Sequence, residues 1–143
     1  MPTLWGAPLK RVLIIEDDRF NRRLYHDLLE AEGYEVDLAA SAPEGIDRAR
    51  QQRPDLVVMD IGLPGMDGLE ATRILKTNGG TSRVPVLVIS AHALAHHESQ
   101  ARRVGADEFL RKPLRFPEFQ QIVRRMLGGA PLPTPAPIRA AKE

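Results

Sequence analysis

Residues 54–73 read PDLVVMDIGLPGMDGLEATR, and this stretch decides the fold. Leu56–Met59 is a continuous apolar run that ends on a carboxylate at Asp60. A short run with no polar alternation suits a strand buried on both faces, as in a parallel sheet. Glycines and a proline then break the pattern. Gly65 and Gly68 fit a tight loop where positive φ is needed. Leu69, Thr72 and Leu75 follow at helical spacing, closed by Gly79-Gly80. The unit is strand, loop, helix, with an acid where the strand stops.

The same unit recurs in both directions along the chain. Val12–Ile15 and Val86–Ile89 are equally apolar, and Glu35–Ala39 and Glu108–Leu110 are weaker strand candidates. Between them lie helical stripes. Phe20, Leu24, Leu28 and Ala31 share one face, with Gly33 as the terminating glycine. Ala42, Ile46 and Ala49 form a second stripe between a Ser41 N-cap and Pro54. Leu94, Ala101 and Val104 make a weaker one before Gly105, and Phe116, Phe119, Val123 and Met126 make the last before Gly128. Strand and helix alternating five times predict a doubly wound α/β sandwich. Right-handed crossovers put every strand's carboxyl end on one edge, where open α/β sheets bind ligands.

Length and composition agree. The 143 residues suit one domain, and 43% hydrophobic residues suffice for one core. No apolar run approaches the length of a membrane span, and Met1–Leu9 shows no secretory pattern. There are no cysteines, which excludes disulfides and thiolate chemistry and fits a cytoplasmic protein. A net charge of +1 gives no basic excess for nucleic acid, and neither nucleic acid nor membrane is expected as a partner. We divide the chain into a flexible leader at 1–9, a folded unit at 10–127 and a proline-rich tail at 128–143.

Chemistry concentrates at the predicted edge. The first strand runs into Glu16, Asp17 and Asp18, the third into Asp60, the fourth into Ser90, and the fifth into Arg111, Lys112 and Pro113. Crowded carboxylates repel, and a cation or protonation relieves them. Oxygen donors favour a hard ion such as Mg²⁺. Asp60 could then act as a nucleophile toward phosphorus, while Lys112 neutralises one phosphoryl oxygen and Ser90 hydrogen-bonds another. Asp18 reads as an ordinary surface acid. His92 and His96 stand four apart, a zinc-like spacing, but no third positioned ligand is evident.

Four blocks in order carry a family resemblance: RVLIIEDDRFNRRLYHDLLEAEGYEVDLA, PDLVVMDIGLPGMDGLEATR, VPVLVISA and GADEFLRKPL. Together they resemble the receiver domains of two-component response regulators, and most of all the stand-alone DivK type. Asp60–Gly68 matches the family pattern D-x-x-L-P-x-x-D-G. The resemblance implies a flavodoxin-like (βα)5 fold with strand order 2-1-3-4-5. It implies Asp60 as phosphoacceptor, with Mg²⁺ held by Glu16, Asp17, Asp60 and the Gly62 carbonyl. Ser90 becomes the switch hydroxyl, Lys112 the phosphoryl-binding cation and Phe109 the switch aromatic. Phe109 as plain core filler is an equal reading. The Lys112–Pro113 bond is expected to be cis. Gly62 and His92, each two residues past a site residue, take the positions that tune phosphoryl lifetime. The implied donor is a sensor histidine kinase or histidine phosphotransfer protein. The implied output surface is the fourth helix, fifth strand and fifth helix, where Arg102, Arg103, Arg111, Arg115, Arg124 and Arg125 cluster.

The expected function is phosphorelay signalling by a single-domain regulator. It is not an enzyme beyond its own phosphorylation and dephosphorylation. The alternative is an aspartyl-phosphate-forming phosphohydrolase of the haloacid dehalogenase type. That class places its nucleophile on the first strand within D-x-D, whereas Asp60 follows the third run and Gly62 takes the second acid's place. A flavodoxin-like electron carrier is disfavoured by the acidic loop after the first strand, which would repel a flavin phosphate.

Overall fold

The computed structural model describes residues 9–63, 65–91 and 95–128. The leader 1–8, most of the tail at 129–143, Pro64, and the 92–94 segment with His92 and Leu94 lie outside the described residues. Elements alternate along the chain: β1 Arg11–Ile15, α1 Arg19–Ala31, β2 Glu35–Ala39, α2 Ala42–Gln52, β3 Leu56–Asp60. They continue with α3 Gly68–Thr77, β4 Val86–Ser90, α4 Ala95–Arg103, β5 Glu108–Arg111 and α5 Phe116–Met126. The sheet is parallel, in the order β2-β1-β3-β4-β5. The expected flavodoxin-like (βα)5 fold and its order are therefore both present.

The period-2 alternation of a strand sorts its side chains between two cores. Leu13, Ile15, Val57, Met59, Val86 and Val88 face one side, packed with Ala42, Ile46 and Ala49 of α2 and Ala71 and Leu75 of α3. Val12, Ile14, Leu56, Val58, Leu87 and Ile89 face the other, packed with Tyr25 and Leu29 of α1 and Phe119 and Val123 of α5. The Tyr25 and Phe119 rings meet with centroids 5.6 Å apart. β3 and β4 are buried at every residue, which is why they read as unbroken apolar runs.

Two helix faces differ from expectation. Phe20 is 74% exposed and Ala31 is also exposed, and the buried centre of α1 is Tyr25 and Leu29, flanked by Leu24 and Leu28. In α5, Phe116 is 42% exposed, and Phe119 and Val123 carry the contact. In α1 the packed face is centred one residue on from the expected stripe, whereas in α5 the expected stripe holds except at its first member.

The loop after β3 uses its glycines in two ways. Gly65 has φ +74°, as expected of a turn glycine. Gly68 differs: its backbone takes an ordinary φ, and a Cβ there would sit 2.2 Å from the Asp60 carbonyl oxygen. It is needed for close approach, which lets α3 start directly against β3.

Candidate functional site

The carboxyl ends of β1, β3, β4 and β5 meet on one edge. Glu16 leaves β1 still tied to the sheet, its amide donating to the Ala39 carbonyl at 3.0 Å. Its side chain is 1% exposed, and Asp60 beside it is 7% exposed. Asp17 stands exposed at the mouth. One carboxylate oxygen from each of Glu16, Asp17 and Asp60 falls within 4.8 Å of the others, the single cluster of its kind among the described residues. Lys112 reaches in from the end of β5, with Nζ 3.3 Å from Glu16 and 3.6 Å from Asp60. Its backbone amide donates to the Ser90 carbonyl at 2.8 Å, and the Lys112–Pro113 bond is cis.

Electrostatics mark this edge as incomplete by charge. Two of the three carboxylates, Glu16 and Asp60, share one ammonium. Burial pushes the Glu16 carboxyl up to about 7, and the neighbouring Asp60 charge adds to the rise. The Asp18 amide and the Lys112 ammonium pull the other way without offsetting it. Burial of two acids costs free energy that one shared lysine does not recover. A divalent cation on hard oxygen donors would balance the remainder, and the residues present fit Mg²⁺.

The surrounding backbone is braced. The Gly62 amide donates to Asp60 Oδ1 at 3.2 Å, and Gly62 itself is exposed beside the acid. Arg22 Nη1 donates to the carbonyls of Glu16 at 3.0 Å and Asp17 at 3.2 Å. Asp18, expected to be a bystander, caps α1 by accepting from the Asn21 amide at 2.8 Å. Ser90 is fully buried at the tip of β4, and its Oγ lies 3.5 Å from His97 Nδ1 on α4. Phe109 is 8% exposed within the core cluster that includes Val88 and Ala101.

The expected site residues Glu16, Asp17, Asp60 and Lys112 thus converge, and Ser90 stands at the end of the neighbouring strand. His92 and the side chain of His96 lie outside the described residues, and the zinc-like spacing falls there with them. Arg22 and His97 were not singled out as site residues. An arginine one turn into a helix points back at the preceding loop, so Arg22 had a readable signal; His97 depends on the angle of α4.

Residues 12–124 match the family described as the response regulator receiver domain. The chain belongs to that family. The polar-differentiation response regulator DivK of Brucella anthropi is 39% identical over 121 residues, covering 85% of this chain and 98% of its own. Among solved structures, a response regulator from Chloroflexus aurantiacus superposes with TM-score 0.81 at 27% identity, covering 85% of this chain and 99% of its own. The receiver domain of a Pseudomonas aeruginosa sensor histidine kinase superposes with TM-score 0.78 at 31% identity, covering 85% and 100%. That domain was solved with a magnesium ion coordinated in its active site cleft. Family membership and the position of Asp60 on β3 set the haloacid dehalogenase alternative aside.

Proposed function

We propose that this receiver accepts a phosphoryl group on Asp60 and so relays a two-component signal. The observation that carries the reading is the convergence of Glu16, Asp17, Asp60 and Lys112 on one edge of the sheet. Glu16, Asp17, Asp60 and the Gly62 carbonyl would hold Mg²⁺. When bound, the ion neutralises phosphoryl oxygens and the repulsion among the acids.

The rest is done by the chain. The donor is a phosphohistidine of a sensor kinase or histidine phosphotransfer protein. An Asp60 carboxylate oxygen attacks phosphorus in line; an O–P bond forms and the donor's N–P bond breaks, returning the imidazole. Lys112 turns from the carboxylates to a phosphoryl oxygen. Ser90 donates a hydrogen bond to another, and Phe109 repacks beside it. Gly62 and His92 set access of water to the product, and hence its lifetime. The chain catalyses only these steps on itself and works in the cytoplasm, with residues 10–127 as the functional unit. Output is a protein target on the α4–β5–α5 face.

Labelled phosphotransfer from a histidine kinase tests this. Wild type takes up the label in Mg²⁺ and loses uptake in EDTA, and Asp60→Asn takes up none. Equal labelling of Asp60→Asn would overturn the assignment.

A further inference from the structure

Ser90 has little freedom except at its side chain. It is fully buried, its carbonyl accepts from the Lys112 amide at 2.8 Å, and its neighbour Ile89 pairs in register with Asp60. What remains is rotation about one bond among staggered positions. In this state the hydroxyl meets His97 Nδ1 at 3.5 Å. His97 sits on α4 directly before Glu98, which pairs with Arg102 at 3.3 Å and faces Arg111 of β5 at 3.9 Å. Those ion pairs are solvent-exposed and individually weak. The Ser90–His97 contact is different, since its serine end is buried at the phosphoryl edge.

We propose that His97 is a positioning residue that holds the Ser90 hydroxyl toward α4 at rest, and that phosphorylation of Asp60 breaks this contact and frees α4. The proposal rests on the phosphoacceptor reading and names the side chain that transmits it. The magnitudes fit a switch. A contact of 3.5 Å is at the long end for a hydrogen bond, so it restrains without locking. A phosphoryl oxygen is a charged acceptor, and charge-assisted hydrogen bonds are about twice as strong as neutral ones. The serine therefore exchanges its long contact with His97 for a stronger bond, and α4 loses that one contact with the end of β4. Whichever imidazole nitrogen carries the proton, the contact biases Oγ toward α4.

The test uses the full chain, with beryllium fluoride and Mg²⁺ as the phosphoryl mimic. Two readouts are followed: affinity for the mimic, and the ¹⁵N resonance of the His97 ring. In metal-free protein, Ser90→Ala should shift the Nδ1 resonance, and adding the mimic to wild type should shift it similarly. His97→Ala should tighten mimic binding roughly twofold, the low end of the range for one hydrogen bond, as suits a long contact removed from the resting state. His97→Asn, which offers an amide oxygen near the Nδ1 position, should return affinity toward wild type. In a Ser90→Ala background, His97→Ala should change nothing. Unchanged affinity in His97→Ala, or a resonance indifferent to Ser90→Ala, overturns the proposal. If wild type fails to bind the mimic at all, the phosphoacceptor reading falls, and the switch falls with it.

Discussion

Glu16 bears the largest electrostatic penalty in the site, and that penalty is measurable. Its carboxyl has an ordinary value of 4.5 and is pushed up to about 7 in the folded chain, chiefly by burial. The folded state therefore holds this proton more tightly than the unfolded state. The resulting stability is fully present below about 4.5 and is lost as pH rises through about 7. Urea unfolding in EDTA should show the metal-free protein losing stability between these pH values. Glu16→Gln should flatten the curve, and saturating Mg²⁺ should do the same in wild type. A curve unchanged by Glu16→Gln would remove the basis for placing a buried acid at the metal site. This residue was visible in the sequence because it follows an apolar run that also had to end at the sheet edge. His97 was not, since nothing in residues 95–103 says which side chain turns toward β4.

At the scale of elements, the strands were legible and the helix faces only partly so. Burial on both sides keeps β3 and β4 apolar up to their last residues, Asp60 and Ser90, so the sequence has one reading there. α1 is ambiguous because Leu24 and Leu28 flank two possible stripe centres, one through Phe20 and one through Tyr25 and Leu29. The packing selects the second. Leu29→Ala should accordingly cost about 2–5 kcal/mol in unfolding free energy, and Phe20→Ala about 0.5 kcal/mol or less. Comparable losses would mean the face has been misplaced. The junction of β3 and α3 gives a sharper expectation. In Gly68→Ala the new Cβ would meet the Asp60 carbonyl oxygen at 2.2 Å, backbone that can yield only by moving the acceptor. Overpacking of this kind costs about 1–3 kcal/mol. Mg²⁺ affinity should fall along with stability, as titration of folded Gly68→Ala would show. Stability lost with affinity intact would separate the loop from the site.

Across the whole molecule, one sheet serves two purposes. Its alternating side chains fill two cores, and its carboxyl edge gathers acids from segments far apart in sequence. The arginine cluster on α4, β5 and α5 is partly paired with acids. Arg102 and Arg125 reach Glu108, Arg111 faces Glu98, and Arg124 pairs with Glu32. These pairings were not legible, because they join separate elements whose spacing only the fold defines. They set three glutamates against four of the six clustered arginines, so a basic excess remains on these elements. All of this depends on Asp60 taking a phosphoryl group with the help of a divalent cation. The most direct measurement is mass spectrometry of the full chain after incubation with acetyl phosphate. The account predicts one added phosphoryl group in Mg²⁺, mapped to the peptide containing Asp60 and absent in EDTA. Addition that ignores EDTA, or that maps to another peptide, would contradict it.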